Sequence, residues 1–368
     1  MLYYLGMKKL LLISVFIMIL APVCVFAQEQ SFEAKVIEIV KENTIVREDG
    51  TSVIQQDLKL QGLEGEWQGK EIESHGISDL DVVKGVVAKR GDKVVVSASI
   101  GPEGDQVFYI IDQVRRGWQY ILALLFAALI IVIGKGKGVK ALVSLIATFL
   151  IIMWFIIPRI LAGWSPLLTS IIGAIVILAA IIYITWGFSS KAHIAIAAIV
   201  ISLVLTGLIA IIFTKLTHLT GLANEDVMFL IGRGGAPINF QGLLLAGIII
   251  GTLGVLDDVV ISQISAIEQL KKANPGFTRH ELFKSGLHIG IDHISSMTNT
   301  LFMAYAGASL PLLLLFSVGS EPFVTFSQVI NNEMIATEIV RTLTGSIGLI
   351  LAVPICTVLA VKFIKSGK

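Results

Sequence analysis

Two patterns of hydrophobic and polar positions divide the chain. Between residues 28 and 115 the apolar residues come in short alternating or β-branched runs, at Phe32–Val40, Gln56–Leu63, Lys93–Ser97 and Phe108–Val114. Turn signals at Asp49-Gly50, Gly91-Asp92 and Gly101-Pro102 separate them. This pattern predicts a small all-β domain, an OB-like barrel of five strands, and about 85 residues are enough to give it a core of its own. From residue 116 to residue 368 the pattern changes to long apolar runs joined by short connectors. They cover 118–134, 141–157, 167–187, 194–213, two stretches between Phe240 and Gly307, and 343–362. Each supplies roughly 17–25 residues of apolar helix, the length a bilayer requires. Trp118, Trp154, Trp164 and Trp186 stand near the ends of these runs, where an aromatic belt would place them. The expected fold is therefore a polytopic α-helical membrane protein of about seven transmembrane helices with a small exported β domain. Residues 1–27 read as a signal peptide, because Lys8 and Lys9 precede an apolar run and Val25-Phe26-Ala27 resembles a cleavage site. An uncleaved first helix is the alternative.

Composition agrees with this division. Of 368 residues, 55% are hydrophobic and 15% charged, too apolar for one soluble domain and ordinary for a membrane protein. The two cysteines, Cys24 and Cys356, lie outside the β segment, so no disulfide framework is expected there. The distribution of charge sets an orientation. Connectors on one side hold Lys135, Lys137, Lys140, Lys191, Lys271, Lys272, Arg279, Lys284, Lys362, Lys365 and Lys368, whereas the other side holds Arg159, Lys215, Arg233 and Arg341. Eleven against four puts the C-terminus in the cytoplasm and the β domain outside the cell membrane. Arg115 and Arg116 oppose the rule, and a folded exported domain just before them is expected to override their effect.

Ionisable residues concentrate in the two runs between Phe240 and Gly307. Gly247, Gly251, Gly254, Asp258, Ser262 and Ser265 recur at intervals of three or four, so they share one helical face, with Asp257 on its flank. Glycine at that spacing allows a neighbouring helix to come close. His288, Asp292, Ser295 and Asn299 make a similar stripe on the next helix. Thr278 and Glu281 form a capping box that starts this helix near Arg279. Antiparallel pairing from these ends brings Asp258 beside roughly position 293, so Asp257 and Asp258 are expected to face Asp292 and His293 inside the bundle. Two further segments interrupt the simple pattern. Leu310–Gly319 is too short to cross and begins at Pro311, which predicts a half-helix or re-entrant piece. Phe326–Arg341 predicts a helix lying on the outer surface. The run Gly232-Arg233-Gly234-Gly235 lacks the ending of a phosphate loop and reads as a hinge or lid.

The motifs of this stretch are long: G-T-L-G-V-L-D-D-V-x-I-S-Q from Gly251 to Gln263, and G-x-D-H-I-S-S-x-x-N-T-L-x-x-A-Y-A-G-A-x-L-P-L-L-L from Gly290 to Leu314. With these motifs the chain resembles the YibE/F-like family of multi-pass bacterial membrane proteins, and the similarity extends upstream through the β-rich segment. The resemblance implies an architecture and no assigned catalytic residue.

Three functions compete on these residues. In a transporter or permease, Asp257, Asp258 and Asp292 would bind an ion or accept a proton, His288 and His293 would tune or relay it, and Ser262, Gln263, Ser296 and Asn299 would be neutral ligands for the ion or a small solute. An intramembrane enzyme is disfavoured: Asp257 follows Gly254-Val255-Leu256 rather than Gly-x-Gly, and His280-Glu281 is not followed by a second His at 284. Metal binding by Asp257, Asp258, Asp292 and His293 would suit a divalent transition metal. In the third reading the charges only fix helix register, and the protein is a non-catalytic membrane scaffold that docks a partner through its exported β domain. The expected surroundings are a lipid bilayer and a membrane-protein partner or a second copy, with no nucleic acid and no cofactor.

Overall fold

A computed structural model of the chain describes residues 31–46, 52–77, 87–101, 104–223, 227, 230–231, 237–319 and 325–364. The signal-peptide reading and the Gly232–Gly235 run lie outside the described residues. The chain divides into two compact units, with the division falling within the first long helix, at Val132.

The β unit holds five strands: β1 (Ser31–Val46), β2 (Ser52–Gly62), β3 (Glu71–His75), β4 (Lys93–Ile100) and β5 (Gln106–Gln113). All neighbours pair antiparallel, in the order β3-β2-β1-β4-β5. Alternation dictates the inner face. Phe32, Ala34 and Val36 of β1 meet Leu58 and Leu60 of β2, Ile72 of β3, Val94 and Val96 of β4 and Phe108 of β5 in one core. Trp67 closes it, stacked on Phe32 and edge-on to Phe108. The two outer strands approach one another, since the Ser74 hydroxyl of β3 donates to the Phe108 carbonyl of β5 at 2.9 Å. On the surface, Lys59 pairs with Glu71 at 2.7 Å, and this hydrogen bond raises its amine above the ordinary value.

The two arginines that oppose the charge rule are both neutralised within this unit. Arg116 holds Glu33, nearly buried on β1, through both guanidinium ends, at 2.5 and 2.9 Å. Arg115 pairs with Asp112 at 2.6 Å. A bidentate pair is the strong form of this contact, so neither arginine acts as an isolated positive charge beside the first apolar run.

The helical unit is built from α1 (Arg116–Ile151, which crosses the division), a π-turn at Ile152–Ile156 running into α2 (Ile157–Leu161), α3 (Pro166–Trp186), α4 (Ser190–Leu216), α5 (Phe240–Ala273), α6 (Arg279–Ala308), α7 (Leu310–Ser317), α8 (Phe326–Asn331) and α9 (Glu333–Phe363). Among the described residues, five helical stretches are long and apolar enough to cross a membrane: Arg116–Leu161, α3, α4, α5 and α9. The connector expected at Gly134–Lys140 is reduced to a kink: Lys135, between two glycines, stands at φ 49° and ψ −130°, and two helical segments meet there. The π-turn precedes Pro158, whose missing N–H and bulky ring a regular turn would not accommodate.

The expected half-helix is present as α7, bent 68° from α6 with Pro311 in its first turn. The expected surface helix over Phe326–Arg341 is corrected. It is two pieces: a single capped turn and a half, then α9, which starts at Glu333 and runs unbroken to Phe363. Asn332 makes the break by capping Met334 N, and no residue between 333 and 343 stops the helix. Glu333 anchors this start by accepting from the backbone of Thr220 and Gly221 and the Thr220 hydroxyl. Gly221 is required there: its φ is +78°, and a Cβ would stand 2.4 Å from the Phe240 carbonyl oxygen.

The core lies between α3, α4, α5 and α9, around Ile177, Leu178, Ile199, Leu256, Ile264, Ala352 and Cys356. Small residues set its closest crossings. Gly348 of α9 lies against Thr206 of α4, where a Cβ would meet the hydroxyl oxygen at 2.0 Å. At the lysine-rich end, Glu268 of α5 pairs with Lys191 of α4 and Lys272, and Lys271 donates to the Ile364 carbonyl at 2.9 Å.

Candidate functional site

The geometry of α5 and α6 follows from two local signals. The Thr278–Glu281 capping box forms as expected and starts α6 at Arg279. The helices then meet at Gly286 and Gly290, which have no side chain to hold them apart. A Cβ on Gly290 would stand 2.3 Å from Val353 Cγ1 of α9 and 3.0 Å from Gln263 Nε2 of α5. Into that space Gln263, 1% exposed, sends its amide. Its Nε2 donates to the Gly286 carbonyl at 2.7 Å and to Thr357 Oγ1 at 2.9 Å, and Thr357 donates in turn to Val353. One amide thus ties α5, α6 and α9 at a single level. Gln263 was expected as a ligand; its donors are used in holding the three helices together. Thr357 is the partner that periodicity missed, a lone hydroxyl in an apolar run of α9.

This clamp fixes the antiparallel register, and with it Asp258 and His293 come close enough to interact through their charges. The antiparallel offset is the one the sequence suggests, and the two side chains form no ion pair or hydrogen bond with each other. The orientation of the other groups departs from the expectation. Asp257, expected on the flank, is the buried one at 9% exposure. Asp258 and Ser262 are exposed, as are Gly247, Gly251 and Gly254. On α6, His288, Asp292, Ser295, Ser296 and Asn299 all lie on the exposed side, and His293 is half-buried. The polar stripes were expected to face each other inside; instead they share the outside of the α5–α6 pair. The reason is that the small residues seating α6 are Gly286 and Gly290, about half a turn away from the His288–Asp292 stripe. The glycines of α5 do not seat a helix either: a Cβ at Gly247 or Gly254 meets nothing, and at Gly251 it meets only the Tyr305 hydroxyl, at 2.9 Å.

A metal site by Asp257, Asp258, Asp292 and His293 is also not assembled. Among the described residues no three His, Cys, Asp or Glu side chains gather closely enough to hold one. Adjacent residues diverge by about 100° around a helix, which separates Asp257 from Asp258 and Asp292 from His293. A second polar group was missed by the sequence reading: Tyr305 of α6 lies in electrostatic range of Arg341 and Glu338 of α9, which pair with each other at 2.7 Å. Arg341 inside the last apolar approach was its only signal.

Chemically, the exposed line offers a carboxylate within electrostatic range of an imidazole, a second carboxylate, and hydroxyl and amide groups along one helix. Carboxylate and imidazole together can hold a cation or pass a proton near neutral pH. In hydrocarbon each ionised carboxylate costs about 3 kcal/mol on the most lenient scale, so such a line needs water, a solute or protein against it.

A family model described as YibE/F-like protein matches residues 122–366, well over half of the chain. No curated protein and no solved structure matches it.

Proposed function

The chain belongs to the YibE/F-like family, and from that premise we propose that it is a multi-pass membrane carrier of a small ion or solute. The observation that carries this reading is the Asp258–His293 pair set beside the His288–Asn299 stripe, on helices that are otherwise apolar. Asp258 and His293 bind or relay the cation, and His288, Asp292, Ser296 and Asn299 extend the path. Asp257, buried one residue away, tunes the charge of the site, and Ser262 offers a neutral ligand. Gln263 contributes by holding the helices.

Seven crossings fit the helices. Arg116–Leu161 has 46 residues, about 70 Å of helix against a hydrocarbon core of about 30 Å, so it crosses twice and turns at Lys135. The bent α6–α7 pair adds one more, with α3, α4, α5 and α9 making seven. The β unit then lies outside the cell membrane and the C-terminus in the cytoplasm. The contact from Ser74 to Phe108 supports reading the five strands as a nearly closed, OB-like barrel.

One observation favours the scaffold reading: Gln263, a buried polar group, hydrogen-bonds both neighbouring helices, as a group that fixes register would. Flux separates the two. Purified protein in vesicles containing a pH-sensitive dye, with a potassium diffusion potential imposed, should admit protons faster than protein-free vesicles. Asp258→Asn should reduce that flux at least tenfold while leaving the thermal midpoint unchanged. Wild-type vesicles that behave as empty ones, with an Asp258→Asn protein of lowered midpoint, would favour the scaffold.

A further inference from the structure

We propose that the exposed face of α6 is covered by a second copy of this chain, in a parallel two-fold pair. The inference requires only that the helical unit lies in a bilayer; it does not require that the protein carries a cargo.

Of the thirty residues of α6, only Leu282, Gly286, Gly290 and Leu301 are buried. The exposed remainder is ordered. His288, Asp292, Ser296, Thr300, Ala304 and Ala308 recur at intervals of four and are exposed along the length of the helix. They form one continuous ridge. Ser295, Asn299, Met303 and Gly307, also exposed, form a second ridge beside it. Interdigitated four-residue ridges are the geometry of close helix crossing, and small residues at that spacing are what membrane helix pairs use to approach. The ridge is polar where it begins and small where it ends, so it is unsuited to lipid along its first half and shaped for a neighbour along its second.

The occupant follows from the ridge's own chemistry. In a two-fold pair about the membrane normal every residue stands at the same depth as its own copy, and any contact from one residue to another is made twice. Such a surface must complement itself. Ser296 and Asn299 each donate and accept, so each can pair with its copy, whereas the Thr300 hydroxyl donates to the Ser296 carbonyl and is left to accept. Asp292 only accepts when ionised, and His288 stands one turn away, about 6 Å along the axis. The imidazole of one copy therefore reaches the carboxylate of the other, twice, by symmetry. A heterologous partner would need none of this self-matching. Both copies insert with the same orientation, which makes the pair parallel.

Single cysteines test it in full-length protein carrying Cys24→Ser and Cys356→Ser. Ser296→Cys and Thr300→Cys lie on the ridge; Leu208→Cys, exposed on α4, is the control. Membranes are treated with copper phenanthroline and resolved without reductant. The expected result is a band at twice the chain mass, reversed by dithiothreitol, at positions 296 and 300 and at least tenfold weaker at 208. Absence of that band at both ridge positions, or a band of another mass there, overturns the proposal. Equal cross-linking at 208 also overturns it, because it reports random collision. No flux is measured, so a protein that pairs but carries nothing refutes the carrier reading alone.

Discussion

Gly290→Ala is the most direct probe of how the site is held. The new methyl would stand 2.3 Å from Val353 Cγ1 and 3.0 Å from Gln263 Nε2, against a normal carbon contact of about 3.5–4.0 Å. Val353 cannot swing away freely, because valine in a helix keeps one χ1 well. Relief requires α6 to lift off α5 and α9, which would also stretch the Gln263 bonds. Overpacking of this kind costs about 1–3 kcal/mol, partly offset by the ~1 kcal/mol that alanine gains over glycine in a helix. The net expectation is a loss of up to about 2 kcal/mol. Gly254→Ala is the built-in control: a Cβ there meets nothing, so it should be neutral or stabilise by up to about 1 kcal/mol. Val353→Ala removes the methyl that collides, and Gly290→Ala should then be harmless in that background. The coupling between the two substitutions should reach about 1 kcal/mol or more. Thermal midpoints in detergent read this directly, at roughly 2–4 °C per kcal/mol for a unit of this size. Equal shifts for Gly290→Ala with and without Val353→Ala, or a Gly290→Ala as benign as Gly254→Ala, would refute the packing that sets the α5–α6 register.

Gln263→Leu should lower the midpoint by about 1–3 kcal/mol equivalent, since it removes two interhelical hydrogen bonds worth ~0.6–1.7 kcal/mol each in membrane helices; the same melt checks it. Residues 28–115 expressed alone should give a soluble β-rich circular dichroism spectrum with a cooperative melt, and Leu60→Ala, at a fully buried site, should destabilise that melt by about 2–5 kcal/mol. A cysteine placed after Lys365 should react with an impermeant maleimide only in opened cells; labelling of intact cells would reverse the orientation.

Several features were legible in the residues because they rest on local rules. The Thr278–Glu281 box needs two side chains three residues apart, and it formed. Pro311 cannot continue a regular span, and the chain bends there. The runs Phe32–Val40 and Lys93–Ser97 form strands, as their alternation suggests. The antiparallel offset that brings Asp258 to His293 came from counting along two helices from a known turn. What failed depended on neighbours. The Gly134–Lys140 connector is shorter than expected, confined to a kink at Lys135, because the flanking helices extend into it. The start of α9 moved outward because Asn332 caps it, a contact no hydrophobic pattern shows.

The orientation of the polar stripes carries the larger lesson. Periodicity establishes that His288, Asp292 and Asn299 share a face; it says nothing of what that face meets. The sequence reading assumed the bundle interior, because a charge in a membrane should avoid lipid. That premise is sound for the whole assembly and does not hold for a single chain. Within one chain, several of the buried polar groups are satisfied by it: Gln263 by Gly286 and Thr357, Thr206 by Ser202, Thr252 by Ile248. They act as structure. The ionisable groups of α6 are the ones turned away from the bundle, on the one long helix that reaches a spanning hydropathy only together with a bent neighbour. If lipid were their permanent surrounding, selection for stability alone would replace Asp292 with an apolar residue at a gain of about 3 kcal/mol. A line of such groups kept on one side of α6, beside Asp258, therefore indicates water, a solute or protein on that side, and the cross-linking and flux measurements distinguish which of them it is.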